Sequence, residues 1–106
     1  IPGTVNNILE SVNRLSNAGA KNFLVVGIPD VAELPLSSGY SPPELAALSQ
    51  LSSAHNTLLQ SDLTQVSTDR NLNISFLDLV FVLDQIRQRP QAYGLDNAVD
   101  ACIDIN

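Results

Sequence analysis

The apolar residues Val5, Ile8, Leu9, Val12 and Leu15 recur at three- and four-residue intervals. That spacing predicts an amphipathic helix, with Thr4 able to cap its start and Gly19 to end it. Phe23 to Ile28 then forms an unbroken apolar run around Gly27, bounded by Lys21-Asn22 and Pro29-Asp30. Such a run reads as a strand of a parallel sheet covered on both faces. Asp30 to Tyr40 has no period and holds Pro35, serines and Gly39, so a surface loop is expected, and loops at a strand exit commonly line clefts. Ser41-Pro42-Pro43-Glu44 is a helix start: Ser at the cap, Pro in the first turn, and Glu three residues after the Ser. Leu45, Leu48, Leu51, Leu58, Leu59, Asp62 or Leu63, and Val66 fall on or near one face as far as about Asp69, before Asn71 closes the helix. Leu72, Ile74 and Phe76 alternate with Asn73 and Ser75 and end in Leu77, which predicts a second strand. Asp78 stands where a cap is wanted, and Leu79, Val82, Leu83 and Ile86 form the next helical face until Pro90 stops it. Gln91 to Asn106 is expected as a turn at Tyr93-Gly94 followed by a short helical piece.

The order is helix, strand, helix, strand, helix. A long helical connection makes the two strands parallel, with a right-handed crossover. Two parallel strands leave both sheet edges open, so further strands are expected to complete the sheet.

A chain of 106 residues is one domain at most and has little margin in burying a core. Five Lys and Arg stand against 11 Asp and Glu with no basic cluster, which excludes the electrostatic footprint of a nucleic-acid binder. The longest apolar run is far short of the ~20 residues of a membrane span. Ile1-Pro2-Gly3 has no basic start and no apolar h-region, so no signal peptide is expected within this stretch. The single Cys102 allows no internal disulfide and no cysteine-based metal cluster.

Candidate chemistry is sparse. Asp30 and Asp78 both follow predicted parallel strands, so both carboxylates belong at one sheet edge, where two such groups can share a divalent cation. The plainer reading is that Asp30 closes a turn after Pro29 and Asp78 caps a helix. His55, the only histidine, falls on or beside the apolar face of the long helix, the place of a hydrogen-bonded packing histidine. No serine lies in a nucleophile elbow, and Gly27 alone is no phosphate loop. No cofactor or metal ligand set is expected.

Three patches resemble the GDSL, or SGNH, family of serine esterases and lipases. The first is "LSNAGAKNFLVVGIPDVAELP", with its Gly-Ala, apolar strand, Pro-Asp and second Pro; the second is "LSQLSSAHNTLLQSDL", with Asn56 ahead of spaced leucines. The third is "FLDLVFVLDQIRQRPQAYGLDNAVDAC", with its strand, Asp, helix, Pro, Tyr-Gly and final Cys. The resemblance implies a partial α/β domain over 1–106, a helix-strand-helix-strand-helix fragment of a flavodoxin-like, three-layer SGNH-hydrolase fold with parallel strands. It implies hydrolysis of carboxylic esters in the complete enzyme, an ester or lipid-like substrate, and a secreted, cell-surface or periplasmic location. The family's Gly-Asp-Ser, Gly-x-Asn-Asp and Asp-x-x-His blocks do not occur in this sequence. No catalytic residue is therefore carried over, and a chain lacking nucleophile, base and oxyanion donors is expected to be inactive by itself. In this frame Pro29, Asp30 and Val31 at most line a substrate cleft whose catalytic groups lie elsewhere.

The partners expected on this reading are the remaining segments of the same hydrolase. The alternative is a noncatalytic interaction module that completes its sheet with a second copy of the chain.

Overall fold

The computed structural model describes residues 2–100. Helix α1 spans Pro2–Asn17. It starts two residues earlier than the pattern suggested, so Thr4 lies inside the first turn; proline is tolerated there because first-turn amides have no partner within the helix. Gly19 ends it as expected. At φ +110°, Gly19 lets its own amide reach Ser16 O at 3.0 Å and the Ala20 amide reach Leu15 O at 3.0 Å, the paired closure that favours glycine at this position.

Strand β1 is Asn22–Val26 and strand β2 is Asn73–Leu77. They pair in parallel, with Phe23 opposite Ile74, Val25 opposite Phe76, and Val26 opposite Leu77. The Gly27 amide extends the ladder to Leu77 O at 3.0 Å, after which the chain leaves the sheet. Among the described residues the sheet has two strands.

Helix α2, Pro42–Arg70, connects them. At about 1.5 Å per residue it is roughly 43 Å long. Its start is a reciprocal capping pair: the Ser41 amide donates to Glu44 Oε2 at 2.9 Å and the Glu44 amide approaches Ser41 Oγ at 3.4 Å. Asn71, at φ +54°, ends it, and the Leu72 amide returns to Ser67 O at 3.0 Å. Helix α3, Leu79–Gln88, is capped by Asp78, whose carboxylate accepts from the Phe81 amide at 3.2 Å.

The chain forms two compact units, Ile1–Gly27 with Ser53–Leu77, and Ile28–Ser52 with Asp78–Asn106. The first holds the buried apolar residues Val5, Val12, Leu59, Leu63 and Leu72, packed against Ile8, Phe23, Val25, Ile74 and Phe76. Here the hydrophobic effect does the work. In the second unit, the buried side chains among the described residues are Ser37 and Ser52, so hydrogen bonds carry more of its order.

Three expectations are corrected. The strand run is covered on one face only: Phe23 and Val25 turn inward, while Leu24 is 68% and Val26 48% exposed. Pleating sends alternate side chains to opposite faces whatever their polarity, and among the described residues no element covers the second face. Leu15 and Leu51 are both exposed; elsewhere on the predicted face of α2, Leu59 and Leu63 are buried and Leu58 and Val66 pack against the core, with Ser52 and His55 buried as well. The buried position of His55 is that of a packing histidine. Finally, Pro90–Tyr93 is a 3-10 turn closed by Gly94 at φ +78°, and residues 95–100 are not helical. Asn97 Oδ1 takes the amides of Val99 and Asp100 at 2.9 and 3.0 Å, a local bond that competes with helix. Cys102 lies outside the described residues.

Candidate functional site

The loop that leaves β1 belongs to the second unit. Pro29, Asp30 and Val31 are all half-buried. The Asp30 carboxylate accepts from the Ala32 amide at 3.1 Å, which caps the 3-10 turn Val31–Glu33. Ser49 Oγ lies 2.9 and 3.0 Å from the two Asp30 oxygens. Val31 is held at both ends of its peptide: its amide donates to Ser52 Oγ at 3.1 Å and its carbonyl accepts from Ser37 Oγ at 2.7 Å. Ser52 completes the relay by donating to Leu48 O at 2.8 Å. Each hydroxyl uses its donor on an acceptor the loop or helix already presents, so this tie to α2 needs no charge pair.

A second tie joins the same loop to α3. Arg87 pairs with both Glu33 and Asp84. Burial raises the Glu33 carboxyl above its ordinary value of 4.5; Arg87 pulls it back, while Asp84 and Asp30 add to the rise, and the net shift is upward. One cation thus serves two carboxylates, with a third nearby.

The structure spends both acids of the candidate cation pair on caps, Asp30 for the 3-10 turn and Asp78 for α3. Among the described residues no three His, Cys, Asp or Glu side chains are grouped to hold a metal ion. His55 belongs to the first unit and sits in its buried helical stripe.

The spacing of leucines hid the residues that matter most for this loop. Ser49 and Ser52 lie three apart on α2 and look like interruptions of an apolar stripe. A small hydroxyl on the buried side of a helix was the available signal, because a buried hydroxyl needs a partner. Glu33 and Arg87 are 54 residues apart, and no local pattern announces such a pair.

Gly27, at the strand exit, leaves no room for a side chain. A β-carbon there would stand 2.6 Å from Phe76 Cζ and 2.8 Å from Asn56 Oδ1. Backbone, ring and amide pack directly against one another where the chain turns out of the sheet.

No family model matches the chain. Curated relatives do. The chain is 26% identical, over its whole length, to a thermolabile hemolysin of Vibrio parahaemolyticus, of which it covers 25%. It is 25% identical, over 96% of its length, to a GDSL esterase/lipase of Arabidopsis thaliana, of which it covers 29%. Over 90% of its length it is 30% identical to a phosphatidylcholine-sterol acyltransferase of Aeromonas hydrophila, of which it covers 27%. The chain therefore spans about a quarter of the length of these relatives, and the resemblance to GDSL-type esterases, lipases and acyltransferases extends along nearly all of it.

Proposed function

We propose that this chain is one segment of a GDSL-type serine hydrolase of carboxylic esters, and that the complete enzyme acts on ester or lipid-like substrates. The observation that carries the reading is the alignment of nearly the whole chain with portions of relatives named for esterase, lipase and acyltransferase activity. The parallel β1–β2 pair with helical connections is the local architecture such a fold requires.

In this reading the segment supplies scaffold. Acyl transfer needs a nucleophile, a base and oxyanion donors in one cavity, and the sequence holds no Gly-Asp-Ser or Asp-x-x-His block. Pro29, Asp30 and Val31 line the substrate cleft, and the Ser49 and Ser52 hydroxyls hold that wall in place. The sheet is completed by strands from the remaining segments in a three-layer fold, and the enzyme is secreted, cell-surface or periplasmic, as the resemblance implies.

One observation favours a second reading, a noncatalytic assembly module. The uncovered sheet face carries Leu24, Val26 and Leu77, all exposed, and a copy of the same chain offers a matching surface.

Native mass spectrometry of material purified from its source, followed by denatured masses of each species, separates the two. Gly-Asp-Ser and Asp-x-x-His blocks found with this chain, in one longer polypeptide or in a companion one, together with activity on short-chain esters, are the expected result. Identical short chains alone, inactive on esters, sink the hydrolase reading and support the assembly module.

A further inference from the structure

Among the asparagines of this sequence, Asn73 alone is followed two residues later by Ser or Thr with no proline between, in Asn73-Ile74-Ser75. That triplet is the acceptor pattern for attachment of an oligosaccharide to asparagine in an exported protein. The pattern is short, so its place in the fold decides whether it is usable.

Asn73 opens β2 and stands opposite Asn22, which opens β1. Asparagine is depleted in strands, yet both strands begin with one. The Asn73 backbone is fixed, its amide donating to Lys21 O at 2.9 Å. Strand alternation then turns Ile74 and Phe76 inward and leaves Asn73 and Ser75 exposed together on the other face. The Asn73 side-chain nitrogen donates to Asn22 Oδ1 at 3.2 Å, a bond between two exposed groups. Around it this end of the first unit is polar. Asn17, Lys21, Arg70 and Asn71 are all exposed, and Arg70 donates to Asn17 Oδ1 at 2.8 Å. The apolar part of the same sheet face starts only at Leu24, opposite Ser75.

A glycan needs room for a bulky, hydrated group, and this position gives it. A strand side chain stands roughly perpendicular to its sheet, so a further strand added at the edge leaves Asn73 clear. Both strands run the same way, which puts Asn22 and Asn73 at the sheet end away from Gly27. That exit lies five residues on from Asn22, roughly 16 Å at about 3.3 Å per residue. We infer that Asn73 is an N-glycosylation site, with its glycan standing in water at the polar end of the sheet.

The co-reactant is an oligosaccharide carried on a lipid pyrophosphate. The bond from Asn73 Nδ2 to the sugar C1 forms as the C1–O bond to the pyrophosphate breaks. The lipid pyrophosphate leaves with the electron pair, one amide proton is released to a base, and nothing is oxidised or reduced. Nδ2 keeps one hydrogen, enough to go on donating to Asn22. The inference rests on the exported location contained in the hydrolase reading.

Trypsin, cutting after Arg70 and Arg87, releases residues 71–87 with Asn73 inside. The experiment is tandem mass spectrometry of that peptide from the chain purified from its source, before and after peptide N-glycosidase. The expected result is a peptide carrying an N-acetylhexosamine-rooted glycan that the glycosidase removes, leaving aspartate at position 73. In the full chain exported by a eukaryotic cell, Asn73→Gln and Ser75→Ala should each abolish the glycan and Ser75→Thr should retain it. Circular dichroism confirms that each variant folds. Finding the source peptide only in unmodified form overturns the proposal, and so does a glycan that persists in Ser75→Ala. Ester activity of the complete enzyme is read separately. An unmodified peptide in an ester-active enzyme refutes the glycan alone, and a glycosylated enzyme without ester activity refutes the hydrolase reading alone.

Discussion

Asp30 accepts from the Ala32 amide and from Ser49, and replacing it separates a structural carboxylate from a reacting one. Alanine removes the cap and strands the Ser49 hydroxyl, an expected cost of about 1–2 kcal/mol. Asparagine keeps an oxygen for the Ala32 amide and a donor for Ser49, so Asp30→Asn should lose less than about half as much. Urea unfolding midpoints of the two variants check this. Equal losses would show that the negative charge itself is required, contrary to the capping role. At this scale the chain was partly legible: Asp and Pro after an apolar run announce a turn. The serines that receive it were not, because a hydroxyl's partner is set by what the fold brings opposite.

Among the elements, the second unit joins its β1-exit loop to α3 through Glu33, Arg87 and Asp84. The folded-state pKa of Glu33 lies above its ordinary value of 4.5, so the folded chain binds this proton more tightly than the unfolded chain. The contribution is fully present below pH 4.5 and is lost as pH rises through the folded value. Glu33→Gln, which cannot ionise, should therefore gain stability relative to the unmodified chain as pH is raised from below 4.5 toward neutrality. Denaturant midpoints measured across that range test it; a difference that moves the other way shows that the Arg87 attraction outweighs burial. The Glu33 side chain is 48% exposed, so water screens the effect and it stays modest. The elements themselves were written locally, in the Ser41/Glu44 pair, in Asp78, and in Gly19 and Asn71 as terminators. The Glu33–Arg87 tie depends on two elements far apart in sequence meeting, and was not.

For the whole molecule, the decisive feature is the bare sheet face. In the chain by itself Leu24 is already largely in water, so Leu24→Asp should change its unfolding free energy by no more than about 0.5 kcal/mol. If identical chains pair through this face, the same substitution should turn a dimer into monomers, read by analytical ultracentrifugation. A large loss of stability in a monomeric Leu24→Asp chain would contradict the exposure described above. The two compact units also differ in kind. The first has an apolar core, whereas the second relies on Ser37, Ser49, Ser52 and the Arg87 pairs.

The sequence by itself determined the order of elements, the parallel pairing, most helix boundaries and the resemblance to GDSL-type hydrolases. Those depend on periodicity, on capping chemistry within a few residues, and on motif order, all of which are local in the chain. Only the tertiary structure decided that β1 is covered on one face, that Leu15 and Leu51 stay in water while Ser52 and His55 go in, and that Ser49, Ser52 and Arg87 hold the loop after β1. Burial and partnership depend on what stands across from a residue, and hydrophobicity along the chain does not encode that.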